Sequence, residues 1–350
     1  MEHSQNEVLI ETIGSDPRVV WAASKTRDAR IANVFRGAAG MLVERLVKDV
    51  VKSGVSAVRA GREGTATGQV YAAYPVVGPD NAVSGVQIVY GPEPGTPTAS
   101  TAAFQWELDA NDGPPRLQTT RELLDILDVP ERQRDRPPNA YGPVDFFTRV
   151  ERLPDLARIW DAILTAQPGY AATGTVVIRT ATGRPGLLLY AQRYVNTEAG
   201  PRLRVVCRDI TATVDPIQLR IDMLDMSIAK AAVSAQGMYG FVLEARWPST
   251  CILKWLSPFA PGFGHGVSTG ATAGVHPDDQ LRVPRMVKTA LETGSVQDSL
   301  RIRPGFGADD WIGEGGWLTV RFNSRLIDPE VSQTLALSLI YPDTKKQPDS

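Results

Sequence analysis

The chain is poor in the residues that build metal centres and covalent frameworks. Its 350 residues hold two cysteines, Cys207 and Cys251, and three histidines, His3, His265 and His276. Two thiols cannot make a disulfide scaffold or a four-thiolate zinc site, and so few histidines argue against a His-rich metal centre. An excess of one charge sign is missing too. The 37 Lys+Arg stand against 39 Asp+Glu, giving a net charge of -2, and neither sign gathers into a long run. That balance argues against nucleic acid as a main partner and against an anionic lipid surface. No apolar run approaches the roughly 20 residues that span a bilayer, so membrane insertion is not expected. Residues 1–7 lack the basic start and apolar stretch of a signal peptide, and a cytoplasmic protein is the expectation. What is abundant is ordinary core material, since 43% of the residues are hydrophobic. At this length that supports two or three domains, each with its own core.

Periodicity divides the chain. Val19–Ala23 reads as a strand, followed by a helix with Ile31, Val34, Phe35, Ala38, Leu42 and Leu46 on one face and a stop at Lys52-Ser53-Gly54. Two β-rich runs, 69–77 and 83–90, flank the turn residues Gly78-Pro79-Asp80-Asn81 and predict a hairpin. The Pro/Gly/Thr-rich stretch 91–101 reads as a linker. Beyond it come a strand at 104–108, helices at 121–127 and 156–166, and an antiparallel meander of strands at 174–179, 186–194 and 203–209. The last third repeats the pattern: a strand at 239–245, a helix at 279–293, and strands at 298–303, 317–325 and 334–341.

Asp215-Pro216 opens a connecting helix in which Ile217, Ile221, Leu224, Ile228, Ala231 and Ala235 alternate four- and three-residue steps. This seam of about two and a half heptads serves either to lay the helix on its own domains or to join it to a partner. Ile217, Ile221, Leu224 and Ile228 are its candidate coupling or interface residues.

Catalytic sets are incomplete. Gly266-Val267-Ser268-Thr269-Gly270 matches a nucleophile elbow, yet prolines and glycines precede it and no acid lies between Ser268 and His276, so a flexible loop is the better reading than a Ser268 hydrolase. Adjacent acids such as Asp278-Asp279 and Asp309-Asp310 point their side chains apart and suit caps and turns. Neither a phosphate loop nor a dinucleotide glycine motif occurs. Cys207 and Cys251 read as small buried hydrophobes, and the tryptophans Trp106, Trp160, Trp247, Trp255, Trp311 and Trp317 as packing. No catalytic or metal residue is assigned, and the cofactor-binding set, with any cofactor, is unknown.

Two motifs carry a family resemblance. Arg204-Val205-Val206-Cys207-Arg208-Asp209-Ile210-Thr211 resembles the last strand of a PAS sensor domain with its Asp-Ile-Thr exit. His276-Pro277-Asp278-Asp279 is similar to the turn that opens a long PAS helix, where Asp278 or Asp279 would cap the helix start. The hairpin around Gly85 resembles the central strands of a GAF domain. Together these make the chain resemble mycobacterial sensor-domain-only proteins with one GAF-like and two PAS-like units. The resemblance implies an α+β fold of three sensor-type units, each an antiparallel sheet flanked by helices. The expected layout is a GAF-like domain at 1–92, a linker at 93–101, a PAS-like domain at 102–213, a connecting helix at 214–236, a PAS-like domain at 237–343 and a tail at 344–350. It implies a non-enzymatic cytoplasmic signalling protein without an output domain, binding small ligands or effector proteins, with a structural scaffold of filled pockets as the alternative.

Overall fold

A computed structural model of the chain describes residues 6–61, 68–108, 115–134, 141–245, 251–258, 260, 275–303, 316–327, 332 and 334–342. The chain divides into two compact units. The first comprises Met1–Leu108, Leu117–Tyr141 and Ile163–Arg220, and the second Asp109–Arg116, Gly142–Ala162 and Ile221–Ser350.

The first unit holds two antiparallel sheets. One consists of β1 (Asn6–Glu11), β2 (Arg18–Ala22), β3 (Lys25–Arg30), β4 (Ala57–Ala60), β5 (Val70–Val77) and β6 (Val83–Gly91) in the order β3-β2-β1-β6-β5-β4. Because side chains alternate along a strand, Val8 and Ile10 of β1 face one side and Leu9 the other. Helices α1 (Ile31–Val34) and α2 (Ala38–Ser53) close the first side, where Val43, Leu46, Val47 and Val50 bury against Ile10, Ala73, Val86 and Ile88. The single helix expected from Ile31 onward is interrupted: Phe35 turns extended (φ -108°, ψ 107°), and Gly37 takes a φ of 59° before α2 begins. The expected stop is at Gly54, whose left-handed φ of 68° lets its N–H reach Val50 O at 2.8 Å.

The second sheet of this unit consists of β7 (Thr101–Glu107), β8 (Arg116–Gln118), β9 (Ala171–Arg179), β10 (Pro185–Thr197) and β11 (Gly200–Asp209) in the order β8-β7-β11-β10-β9. Helix α3 (Arg121–Ile126) runs beside β7. The two sheets pack face to face: Leu9, Val20, Trp21 and Val76 of the first meet Ala103, Leu189, Ala191 and Val206 of the second. Gly85 makes this approach possible, since a Cβ there would lie 2.9 Å from Val206 Cγ2. Residues 92–100 contain neither helix nor strand, yet Tyr74 donates its hydroxyl to Gly95 O (3.1 Å) and Gln87 its amide to Ala99 O (3.1 Å).

The second unit is built on a third sheet of β12 (Tyr239–Glu244), β13 (Cys251–Trp255), β14 (Ser295–Ile302), β15 (Leu318–Leu326) and β16 (Leu335–Pro342), in the order β13-β12-β16-β15-β14. Counted within each sheet, the second and third share one order: second, first, fifth, fourth, third. The duplication read from periodicity is therefore real in topology, and the fold class is the expected one, three antiparallel sheets flanked by helices. One face of the third sheet carries Phe241, Leu243, Ile252 and Trp255 into an apolar cluster. The opposite side is covered by α4 (Pro143–Phe147) and by α5 (Leu153–Thr165) as far as Ala162. There Trp160 donates its indole N–H to the fully buried Glu244, which also accepts from Thr334 Oγ1 at 3.0 Å. Lys254, equally buried, donates to Thr148 O at 2.7 Å and lies 3.6 Å from Glu151.

The connecting segment is two helices, α6 (Pro216–Asp222) and α7 (Leu224–Ala235), meeting at Met223. Their buried side chains are Leu219, Met223 and Met226, whereas Ile217, Ile221, Leu224 and Ile228 are each more than 50% exposed. The reading in which the heptad seam lies on the protein's own domains is thus corrected: a second apolar stripe, not recognised in the sequence, fills that role. Further, among the described residues no helix is long and apolar enough to cross a membrane.

Candidate functional site

Where the two sheets of the first unit meet, a cavity of about 750 Å³ opens beside the last turn of β11. β1 contributes Glu7, β2 Trp21, the β2–β3 turn Ala23 and Ser24, the extended segment Thr98 to Ser100, and the end of β11 Arg208 and Asp209. Ala23 and Ser24 hold left-handed φ values of 50° and 56°, which fold that turn tightly against the rim.

The charged centre is an ion pair between Glu7 and Arg208, both with side chains only 7% exposed. Glu7 Oε2 accepts from Arg208 Nη2, and Glu7 Oε1 accepts from Thr98 N (2.6 Å) and Thr98 Oγ1 (2.7 Å). Burial pushes the Glu7 carboxyl pKa up, but the two Thr98 hydrogen bonds and Arg208 outweigh it and hold the group below the usual carboxylate range. Glu7 is therefore an anion at neutral pH. The Arg208 guanidinium also sits over the Trp21 ring, 5.8 Å from its centroid, while its Nη1 is sealed from solvent without a hydrogen-bond partner. A buried N–H left unpaired keeps unused capacity for an acceptor atom.

Asp209 and Thr211 of the Asp-Ile-Thr exit line the same cavity. Asp209 Oδ1 accepts from Thr211 N (2.9 Å) and Thr211 Oγ1 (2.5 Å), Thr211 Oγ1 accepts from Leu187 N (2.9 Å), and Ile210 is buried in the core between the sheets. The carboxylate thus shapes a side-chain-closed turn that ends the strand. On the rim, Arg184 bonds Asp128 (3.4 Å), itself held below the usual carboxylate range: burial raises it, and hydrogen bonds from Thr180, Thr182 and Arg184 more than offset that. A second cavity of about 420 Å³ in this unit is lined by Glu11, Arg18, Asp28 and Arg193, with Arg193 bonded to Glu11 at 2.7 Å.

The other residues singled out in the sequence are scattered. Cys207 is buried in β11, which pushes its thiol up to about 12, and Cys251 is buried in β13. Trp106, Trp160 and Trp255 are buried, and Trp317 stacks edge-on against His276 at 4.6 Å. Trp247, Trp311, Asp309, Asp310, His3, His265, Ser268 and the 344–350 tail lie outside the described residues. The capping role expected of Asp278 and Asp279 is corrected. Helix α8 (Arg282–Thr293) starts after them without a side-chain cap, and Asp279 reaches instead to Arg301 on β14, accepting from its backbone N (2.9 Å) and Nε (3.0 Å). Those bonds, with Arg282 nearby, hold Asp279 at about 2. The strand supplies a permanent cation across the sheet edge, a stronger partner than a helix end one turn away.

Sequence reasoning missed Glu7, Trp21 and Arg208. Arg208 had a signal: a charged residue directly after the apolar run Val205-Val206-Cys207 must either face solvent or find a buried anion. Glu7, some 200 positions away, had none.

Residues 7–99 match the family described as Rv3651-like, N-terminal. Over 97% of both chains the protein resembles the crystal structure of an uncharacterized protein from Mycobacterium tuberculosis, with a TM-score of 0.65 and 19% identity, which is a likeness of fold. An RNA-binding Light-Oxygen-Voltage receptor aligns over 69% of this chain and 95% of its own at 11% identity, with a TM-score of 0.24 too low to carry an argument. No curated protein matches the chain.

Proposed function

We propose that the protein is a non-enzymatic signalling protein of the cytoplasm that binds a small polar ligand in the cavity of its first unit and relays the event by protein contact. One observation carries this reading: the buried Glu7–Arg208 pair and, from the turn after it, Asp209 and Thr211 line a single cavity of about 750 Å³, a size suited to a small molecule. A ligand with an acceptor oxygen competes with Glu7 for Arg208. Lifting the guanidinium off Trp21 disturbs the neighbouring Asp209 turn, from which the chain leads on to the connecting helices. Differential affinity for the two Arg208 positions is what converts occupancy into a signal. The GAF/PAS resemblance supports the word "sensor", and the incomplete catalytic sets of the sequence support the absence of turnover. The alternative of a scaffold draws on Trp106, Leu117 and Leu123, which fill the interior beside the second sheet.

Native mass spectrometry of protein purified from its own cells tests the reading. A small-molecule adduct that is lost in Arg208→Met, with secondary structure unchanged, is the expected result. Protein without adduct from those cells, whose melting temperature no small carboxylate or phosphate in a ligand screen shifts, would favour the scaffold.

A further inference from the structure

The connecting helices carry two apolar stripes, and only one is covered. On α7, Met226 is buried and Lys230 is tied to the buried Glu151 at 3.0 Å, so the helix is fixed with its other side outward. Leu224 and Ile228 on that side of α7 are 53% and 57% exposed, and Ile221, in the last turn of α6, is 54% exposed; Met223 between the two helices keeps a helical φ of -96° and ψ of -5°, so the heptad count runs through it. A soluble helix with apolar side chains on both sides is normally enclosed on both, and the outer stripe has no cover within the described chain.

The spacing defines what fits it. Placing Ile221 and Ile228 at heptad positions a puts Leu224 at d, and the buried Leu219, Met223 and Met226 fall at f, c and f, opposite the seam. β-Branched Ile at a with Leu at d is the combination that favours two parallel strands. The flanking charges agree. Arg220 occupies g and Asp225 the next e, the positions that meet across a parallel pair of identical helices, so a second copy supplies two Arg–Asp pairs by symmetry. Antiparallel packing would match g with g and e with e, where Arg220, Ser227, Gln218 and Asp225 offer no opposite charges.

We propose that this face binds a second copy of the chain as a short parallel coiled coil through Ile221, Leu224 and Ile228. The inference is independent of the ligand cavity.

Oligomeric mass by light scattering on the full chain, with cysteine cross-linking, tests it. The wild type should be a dimer at micromolar concentration, and Leu224→Asp should weaken it about 100-fold or more, because each interface loses two buried leucines. Leu224→Cys should form a covalent dimer under mild oxidation, since d faces d only in parallel packing; Cys207 and Cys251 are buried and give no background. Should Leu224→Asp fail to fold, the charges serve: Asp225→Arg should weaken the dimer about 3-fold or more, and adding Arg220→Asp should restore it. A wild type monomeric at about 100 μM, a dimer indifferent to folded Leu224→Asp, or a Leu224→Cys chain that stays single would each overturn the proposal.

Discussion

The second and third sheets have the same strand order and yet close one face in different ways. In the first unit, β7, β10 and β11 present Ala103, Leu189, Ala191 and Val206 to another sheet, and the contact is apolar. In the second unit, β12 and β13 present Glu244 and Lys254 to helices, and the contact is made of buried charge and hydrogen bonds. Both repeats share the turns that make the meander of their last three strands and the pairing of first strand with last. What closes a face follows from a handful of side chains, which they do not share. The apolar closure tolerates sliding and depends on shape, whereas the charged one fixes register, because each buried ion fails without its partner.

Breaking the charged closure should have the largest effect. Lys254→Ala removes one of two cations beside Glu151, Lys230 remaining at 3.0 Å, empties a buried site and takes the donor from Thr148 O, and should lower stability by about 2–4 kcal/mol in denaturant unfolding followed by circular dichroism. Lys254→Met, with similar bulk and no charge, should recover little while Glu151 remains, but more when paired with Glu151→Gln. The apolar closure should break through shape instead. Gly85→Val places new atoms where Val206 already lies, at an expected loss of about 1–3 kcal/mol, and Val206→Ala in the same chain should return part of it.

Acid should sharpen the contrast. Asp279 is held at about 2, below its unfolded value, so its contribution is fully present above about pH 4 and is lost as pH falls from there through about 2. Allowing for solvent around Arg301, that contribution is about 1–2 kcal/mol. It should vanish from the pH dependence of unfolding in Asp279→Asn. The smallest effect belongs to the buried hydroxyl pair Ser324–Ser338 (2.9 Å) in the third sheet, where Ser338→Ala should cost about 1 kcal/mol by calorimetry.

Much of the fold was legible because its causes are local. Gly78-Pro79-Asp80-Asn81 between β-branched runs can do little except turn, and the β5–β6 hairpin sits where those residues put it. Strands β1 and β13 escaped notice. β1 begins with polar Asn6 and Glu7, and β13 follows a stretch of Pro and Ser, so neither announces itself by composition. The charged β3, Lys-Thr-Arg-Asp-Ala-Arg, lies at a sheet edge and is exposed, where alternation carries no signal.

The sequence by itself determined the repeat of a strand, helices and a three-stranded meander, the Asp-Ile-Thr turn whose carboxylate bonds residues two positions on, and the heptad spacing of Ile217, Ile221, Leu224 and Ile228. Each depends on neighbours a few residues apart, where backbone geometry leaves few choices. Only the tertiary structure decided that Arg208 meets Glu7, that Asp279 leaves its own helix for Arg301, and that the heptad stripe faces outward. Those outcomes pair groups from distant parts of the chain, and a buried charge takes whichever partner the assembled sheets bring within reach.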